Sequence, residues 1–332
     1  MAKFKLKRLI SGGLIANYFC TSRCRHCLYN AGPHWEQQYI DPSTTEANLR
    51  VVRSLGCSSV HIGGGEPLLR PAELEKVLDV AARVGVFIEY VETNSSWFKD
   101  TESAIQILAR LRHQGLRTLL VSISPFHNEF IPFSKVKGVM EAARRAGIEI
   151  FPWIADFIRD LSEFDPDQSH DPSEYQQRFG RDYLIRVLQR YWVHLGGRAL
   201  DTFRPLFETK SFEQILNENP GNCRTELSET SHFHIDLFGN YIPGLCSGLA
   251  ISRDDLGKPL APEKYPLLTT LFQSGIRGLA QMAQHEFGYS PRRDDYINKC
   301  DVCNEIRNFL VHGDQLTAPD LQPAEFYMQK TS

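Results

Sequence analysis

The chain has 332 residues, of which 42% are hydrophobic and 23% charged, with a formal net charge of −3. That length exceeds one ordinary domain, so a large domain with a smaller companion is expected. The slightly acidic balance offers no footprint for nucleic acid or an anionic membrane surface.

The basic opening MAKFKLKRL runs into LISGGLIANYF, which is too short and too interrupted to span a bilayer and has no small-residue cleavage site. It reads as a buried first strand, and the chain as cytoplasmic. Eight cysteines are unevenly placed, three near the start, four between 223 and 303, and Cys57 alone. Where thiols stay reduced, such clusters point to metal before disulfides. Cys57 reads as a small buried hydrophobe.

Directly after the first strand comes Cys20-Thr-Ser-Arg-Cys24-Arg-His-Cys27. Three thiolates in one loop suit three corners of an iron–sulfur cube, leaving one iron for an outside ligand. A structural zinc site takes four protein ligands, and His26 is the one further donor in the loop, badly placed between two of the cysteines.

From there to Ile154 a strand–helix unit repeats. Apolar, β-rich stretches at Ser59–Ile62, Val86–Val91, Thr118–Ser124 and Ile148–Ile154 each follow a helical pattern ending in Gly56, Gly85, Gly115 or Gly147, at spacings of 29, 30 and 32 residues. Leu74, Val77, Leu78 and Ala81 share one face of a helix over Pro71–Arg83, and Ile105, Leu108 and Leu111 do so over Thr101–Arg112. Glycine after the last turn suits a left-handed C′ position. Alternating strands and helices predict a parallel sheet, open or closed.

Residues 156–175 read as a loop, followed by a helix from Ser173 to His194 ending at Gly196-Gly197. Beyond 215 the alternation stops, and His232–Leu237 and Asn240–Leu245 form a hairpin across Phe238-Gly239. The expected organisation is a domain over 1–212, a second over 213–317, and a loosely held tail over 318–332.

The C-x3-C-x2-C loop after the first strand resembles the signature of the radical SAM superfamily. Gly63-Gly64-Gly65-Glu66-Pro67, after the second strand, resembles that family's GGEP motif. Glycines there let the backbone approach a ligand closely. Glu66 suits an ammonium group as hydrogen-bond acceptor, and Pro67 fixes the strand exit.

The resemblance implies that Cys20, Cys24 and Cys27 ligate a [4Fe–4S] cluster. S-adenosylmethionine binds its unique iron, with Gly64, Gly65, Glu66 and Pro67 beside the methionine amino group. It further implies Asn94 as a polar ligand contact after the third strand and His26 beside the adenine. The family's Ser-x-Asp at the end of the fourth strand reads Ser122-Ile123-Ser124 here, so Ser122 matches and the acid is absent. Either residue also suits a turn cap.

Cys223, Cys246, Cys300 and Cys303 form a second set, the last two spaced C-x2-C. The layout resembles the Twitch subdomain, a shortened SPASM domain holding one auxiliary [4Fe–4S] cluster; four thiolates suit zinc equally well. The implied fold is a partial (β/α)6 TIM-like barrel with a small C-terminal Twitch/SPASM-like domain.

The implied function is a radical SAM oxidoreductase acting on a small metabolite, served by a reductase such as flavodoxin or ferredoxin, without nucleic acid or membrane partners. Alternatives are a modifier of a peptide substrate, cross-linking or epimerising it, and a non-enzymatic zinc protein. His127 and Glu129, after the fourth strand, are substrate-contact candidates or members of a solvated loop. Tyr29 and Trp153 line a cavity or the core. His232 and His234 share a face of the hairpin without an assigned role.

Overall fold

The computed structural model describes residues 3–313, 316 and 318–328, in two compact units. The N-terminal unit comprises Gly13–His26 and Ala31–Val193; the C-terminal unit comprises residues up to Gly12, Cys27–Asn30 and those from His194 onward. The division thus lies at 193/194, before the 212/213 position expected from composition.

In the N-terminal unit the order is β1 (Gly12–Asn17), α1 (Pro42–Ser54), β2 (Ser59–Gly64), α2 (Pro71–Val84), β3 (Phe87–Thr93), α3 (Thr101–His113), β4 (Thr118–Ser122), α4 (Pro125–Asn128), α5 (Phe133–Ala146) and β5 (Glu149–Trp153). Caps set these limits. Asp41 accepts the Thr44 N–H at 2.9 Å, and Asp100 accepts that of Ser103 at 2.9 Å. Gly56, Gly85, Gly115 and Gly147 all take positive φ, as the C′ reading requires. Leu74, Val77, Leu78 and Ala81 of α2 are buried, each larger side chain contributing roughly 1.5–3 kcal/mol.

All four strand pairings are parallel, in the order β5-β4-β3-β2-β1. Among the described residues the run stops at five parallel strands, so the expected sixth unit of a (β/α)6 barrel is not formed and the sheet is not a closed barrel. The reason is local: between β5 and the end of this unit the chain makes short helices instead of a strand, α6 (Phe157–Leu161), α7 (Pro172–Phe179) and α8 (Tyr183–Arg190).

The expected loop at 156–175 therefore contains α6, held by Asp160, which accepts from Tyr183 Oη and Arg190 Nη1, both at 2.6 Å. The single helix expected over 173–194 is two, broken at Gly180, whose φ of 106° leaves the helical region.

The C-terminal unit carries α9 (Arg198–Phe203), α10 (Phe212–Glu218), α11 (Arg224–Leu227), β6 (Phe233–Asp236), β7 (Asn240–Ile242), β8 (Ile251–Ser252), α12 (Pro266–Phe287) and α13 (Lys299–His312). β6 and β7 form the expected antiparallel hairpin, its turn fixed by Asp236, which accepts the N–H groups of Phe238 and Asn240 at 2.9 Å. No described helix is long and apolar enough to cross a membrane.

The segment 318–328 is not the loose tail expected; residues 329–332 lie outside the described residues. Phe326 and Tyr327 are buried, and the buried Asp320 carboxylate accepts the N–H groups of Leu267 and Leu268 at 2.8 and 3.0 Å, capping α12. Asp320→Ala should cost about 1–2 kcal/mol of stability in urea unfolding; an unchanged midpoint would contradict this packing.

Candidate metal centres

The first site begins where β1 runs into the cysteine loop. Gly65 donates its N–H to Asn17 O at 2.8 Å and Glu66 donates to Phe19 O at 3.1 Å. The Asn17 side chain returns to Glu66 O at 3.2 Å. A Cβ on Gly64 would overlap Asn17 O, and one on Gly65 would overlap Phe19 O. Only glycine lets the turn lie backbone-on-backbone against the chain leading to Cys20.

Cys20 and Cys24 are buried in the N-terminal unit. Cys20 Sγ accepts from Ser22 N at 3.4 Å and from Asn94 Nδ2 at 3.2 Å. Asn94, a cofactor contact by resemblance, is thus placed on a cysteine thiol, its Oδ1 held by Ser96 N at 2.9 Å. Cys27 falls in the C-terminal unit, where its carbonyl accepts the Arg198 N–H at 3.1 Å.

Glu66 departs from expectation. Its buried carboxylate accepts from Leu68 N at 3.0 Å, Asn94 N at 2.6 Å and Thr93 Oγ1 at 3.0 Å, so it is committed to the end of β3. Burial pushes its pKa up to about 7 despite these donors. Pro67 opens the one-turn helix Pro67–Leu69 that supplies the Leu68 donor. Thr93, missed in the sequence, is the hub: its hydroxyl also accepts from Ser95 N and Trp97 Nε1, both at 3.0 Å.

His26 stands among Phe126, His127 and Tyr191, ring centroids 5.0, 4.9 and 5.2 Å away, with Nε2 3.1 Å from Tyr191 Oη. Ser122 ends β4, half-buried, opposite Trp153 in the register. The loop expected around His127 is the short α4, capped by Ser124, whose Oγ lies 2.7 Å from His127 Nδ1. Glu129 pairs with Arg25 at 2.8 Å, which also holds Asp171 at 3.0 Å. Tyr29 Oη lies 2.6 Å from His234 Nδ1, and the rings of His232 and His234 are 5.1 Å apart.

The second site lies wholly in the C-terminal unit. Cys223, Cys246, Cys300 and Cys303 line one cavity of about 230 Å³, together with apolar side chains such as Leu227, Leu271 and Ile276 and the charged Glu226, Lys299 and Arg307. Each cysteine is placed by a specific device. α12 breaks at Gly275, φ 63°, where a Cβ would overlap Gly221 O; this frees Leu271 O to accept the Cys223 N–H at 2.9 Å. Asn298 caps α13 through Cys300 N and Asp301 N at 2.9 and 3.0 Å, putting Cys300 and Cys303 on one face of its first turn.

Burial pushes the thiols up, Cys223 to about 12 and Cys300 to about 11. Arg307, buried and also missed in the sequence, donates to Ser247 O at 2.7 Å, Tyr327 Oη at 2.9 Å and Cys303 O at 3.3 Å. Among the described residues it has no carboxylate partner. No three described His, Cys, Asp or Glu side chains close on a point fit for a single ion. The four thiols ring a space instead.

Residues 14–158 match the Radical SAM superfamily. This stretch, less than half of the chain, is similar to a radical SAM domain. It contains both motifs, from the cysteine loop through β5. Among curated proteins, the chain is 29% identical over 116 residues to the GTP 3′,8-cyclase of Aquifex aeolicus (strain VF5), covering 33% of each protein. It is 38% identical over 68 residues to GTP 3′,8-cyclase 1 of Mycobacterium tuberculosis (strain ATCC 25618 / H37Rv), covering 20% of this chain and 19% of that one. The match thus spans a third or less of the length of these relatives.

Among solved structures, native anSMEcpe with bound AdoMet aligns over 92% of this chain and 98% of its own, at 14% identity and TM-score 0.45. SuiB of Streptococcus suis bound to precursor peptide SuiA aligns over 71% and 60%, at 15% identity and TM-score 0.33. Likenesses this distant carry no argument.

Two outcomes follow from this geometry. Gly65→Ala should destabilise the N-terminal unit by about 1–3 kcal/mol in urea unfolding, because the Cβ meets a backbone oxygen; a wild-type midpoint would contradict the placement. Burial also lowers the His127 pKa to about 4, below about 6.5 in the unfolded chain. The native state therefore excludes this proton, and the stability so contributed is complete above pH 6.5 and lost as pH falls toward 4. His127→Gln should flatten the acid limb of the stability–pH curve; an unchanged slope would contradict a neutral, half-buried imidazole.

Proposed function

We propose that the chain is a radical SAM enzyme. In this reading Cys20, Cys24 and Cys27 hold a [4Fe–4S] cluster, and the second cysteine set holds an auxiliary one supporting net oxidation of a small metabolite. The supporting observation is the hydrogen-bonded docking of the Gly64-Gly65-Glu66 turn on the chain entering Cys20, inside the stretch similar to a radical SAM domain. When bound, such a cluster supplies one electron to the sulfonium of S-adenosylmethionine, yielding methionine and a 5′-deoxyadenosyl radical that takes hydrogen from substrate.

The chain's own residues do the positioning. Gly64, Gly65 and Pro67 border the amino end of the methionine moiety, the Gly65 and Glu66 N–H groups being committed to Asn17 O and Phe19 O. Glu66 acts through Asn94: by accepting Asn94 N–H at 2.6 Å it fixes the amide that donates to Cys20 Sγ. A donor to a thiolate weakens its charge and favours the reduced cluster. His26, in its aromatic group, is the platform for the adenine, and Ser122 is a polar contact beside it. A reductase such as flavodoxin or ferredoxin supplies the electron.

For the second set, four thiols lining one cavity of about 230 Å³ have room for a multi-iron body between them. The buried Arg307, without a carboxylate, supports a net negative occupant, because a lone buried cation is costly. Four cysteine ligands leave no open iron, which favours electron transfer over substrate binding.

Anaerobic reconstitution with iron counting tests this reading. About eight irons are expected in the wild type and about four in both the Cys20/Cys24/Cys27→Ala and the Cys223/Cys246/Cys300/Cys303→Ala variants. With dithionite, 5′-deoxyadenosine should form in the wild type and not in the first variant. Zinc without iron would end the proposal.

A further inference from the structure

One face of the parallel sheet carries a carboxylate that the roles above leave unused. Strand residues two apart share a face. Val91, Leu119 and Val121 are fully buried on one side. On the other, the register aligns Glu92 of β3 with Leu120 of β4 and Phe151 of β5, and Ser122 with Trp153. This second side is the open one, with Tyr90, Glu92, Ser122 and Trp153 half-buried and Phe151 exposed. Two residues beyond Glu92, Asn94 reaches Cys20, so Glu92 stands one pleat, roughly 7 Å of strand, from the residue touching the proposed cluster ligand.

Glu92 and Glu66 make an informative pair. Glu66 is saturated with donors, as a buried carboxylate should be. The Glu92 carboxylate accepts no hydrogen bond among the described residues, and the His61 imidazole lies beside it, Nε2 at 3.8 Å. Its side chain keeps 38% of its surface, yet the protein crowding it pushes its pKa up to about 7. The carboxylate is therefore reachable from the open side of the sheet.

Gly63 explains the seat. A Cβ there would overlap Glu92 Oε2, so the first glycine of the triple makes room for this carboxylate, while the next two serve the backbone of Asn17 and Phe19. Aromatic rings continue along the same side, Tyr90 to Phe151 to Trp153 to Tyr191, at centroid separations of 6.4, 6.0 and 6.2 Å.

We infer that Glu92 anchors the substrate, and that the substrate presents a positively charged amine to it beside the Tyr90–Phe151–Trp153 wall. A cation satisfies the carboxylate and gains from the ring faces at once, the latter worth roughly 0.5–2 kcal/mol. A phosphate-bearing ligand brings like charge onto Glu92, and a neutral one leaves it without a counter-charge. The inference rests on the radical SAM reading only for what happens to the bound molecule.

Calorimetry on the anaerobically reconstituted protein tests it, comparing phenethylamine and 1,6-diaminohexane with their N-acetylated forms. The wild type should bind at least one free amine about tenfold more tightly than its amide. Glu92→Gln, confirmed folded by circular dichroism, should lose that preference. Gly63→Ala, which keeps the charge but displaces the carboxylate, should weaken it. Equal binding of amine and amide by the wild type, or a preference surviving in Glu92→Gln, overturns the inference. Iron counting on the same samples separates the two readings. Amine preference in a protein without iron supports this site while ending the cluster assignment, and iron without preference does the reverse.

Discussion

The N-terminal unit is organised around one backbone contact. The turn after β2 lies directly on the chain leaving β1, through Gly65 N to Asn17 O and Glu66 N to Phe19 O. Hydrogen bonds between buried backbone groups tolerate no inserted side chain, which is why the turn is glycine at Gly64 and Gly65. The contact brings together two segments nearly fifty residues apart in sequence, and Glu66 ties in a third, the end of β3. Three strand ends are thereby locked together around Cys20.

The C-terminal unit reaches its cysteine cavity by different means. No sheet edge gathers the four thiols. A broken helix admits Cys223, a capped helix start presents Cys300 and Cys303, and a loop beyond β7 brings Cys246. Around them the charged groups are tied down: Asp301 holds Arg204 at 3.0 Å and Arg293 as well, and Lys299 pairs with Glu226. Arg307 is the exception, facing the thiols with neutral partners, one of them Tyr327 from the terminal segment. That segment is therefore part of the cavity's support, through Asp320 on α12 and Tyr327 on Arg307.

Legibility in the sequence followed the range of the interactions. The strand–helix repeat and its closing glycines were readable because period and capping are local. The sixth parallel strand was not, since the family likeness suggested it while residues 154–206 carry no β-rich run. The terminal segment looked loose because its polar composition hides the buried Asp320, Phe326 and Tyr327. The helix over 173–194 looked continuous because one glycine at 180 is tolerable in a helix until tertiary contacts choose against it.

The site divides along the same line. By itself the sequence singled out the candidate residues, because C-x3-C-x2-C, the glycine turn and the terminal C-x2-C are short spacings that can be read without a fold. Only the tertiary structure decided what their neighbours do: that Glu66 serves Asn94, that Asn94 serves Cys20, that Arg307 faces thiols, and that Glu92 accepts no hydrogen bond among the described residues. Those roles depend on strand register and on side-chain direction across tens of residues, and no local pattern encodes either.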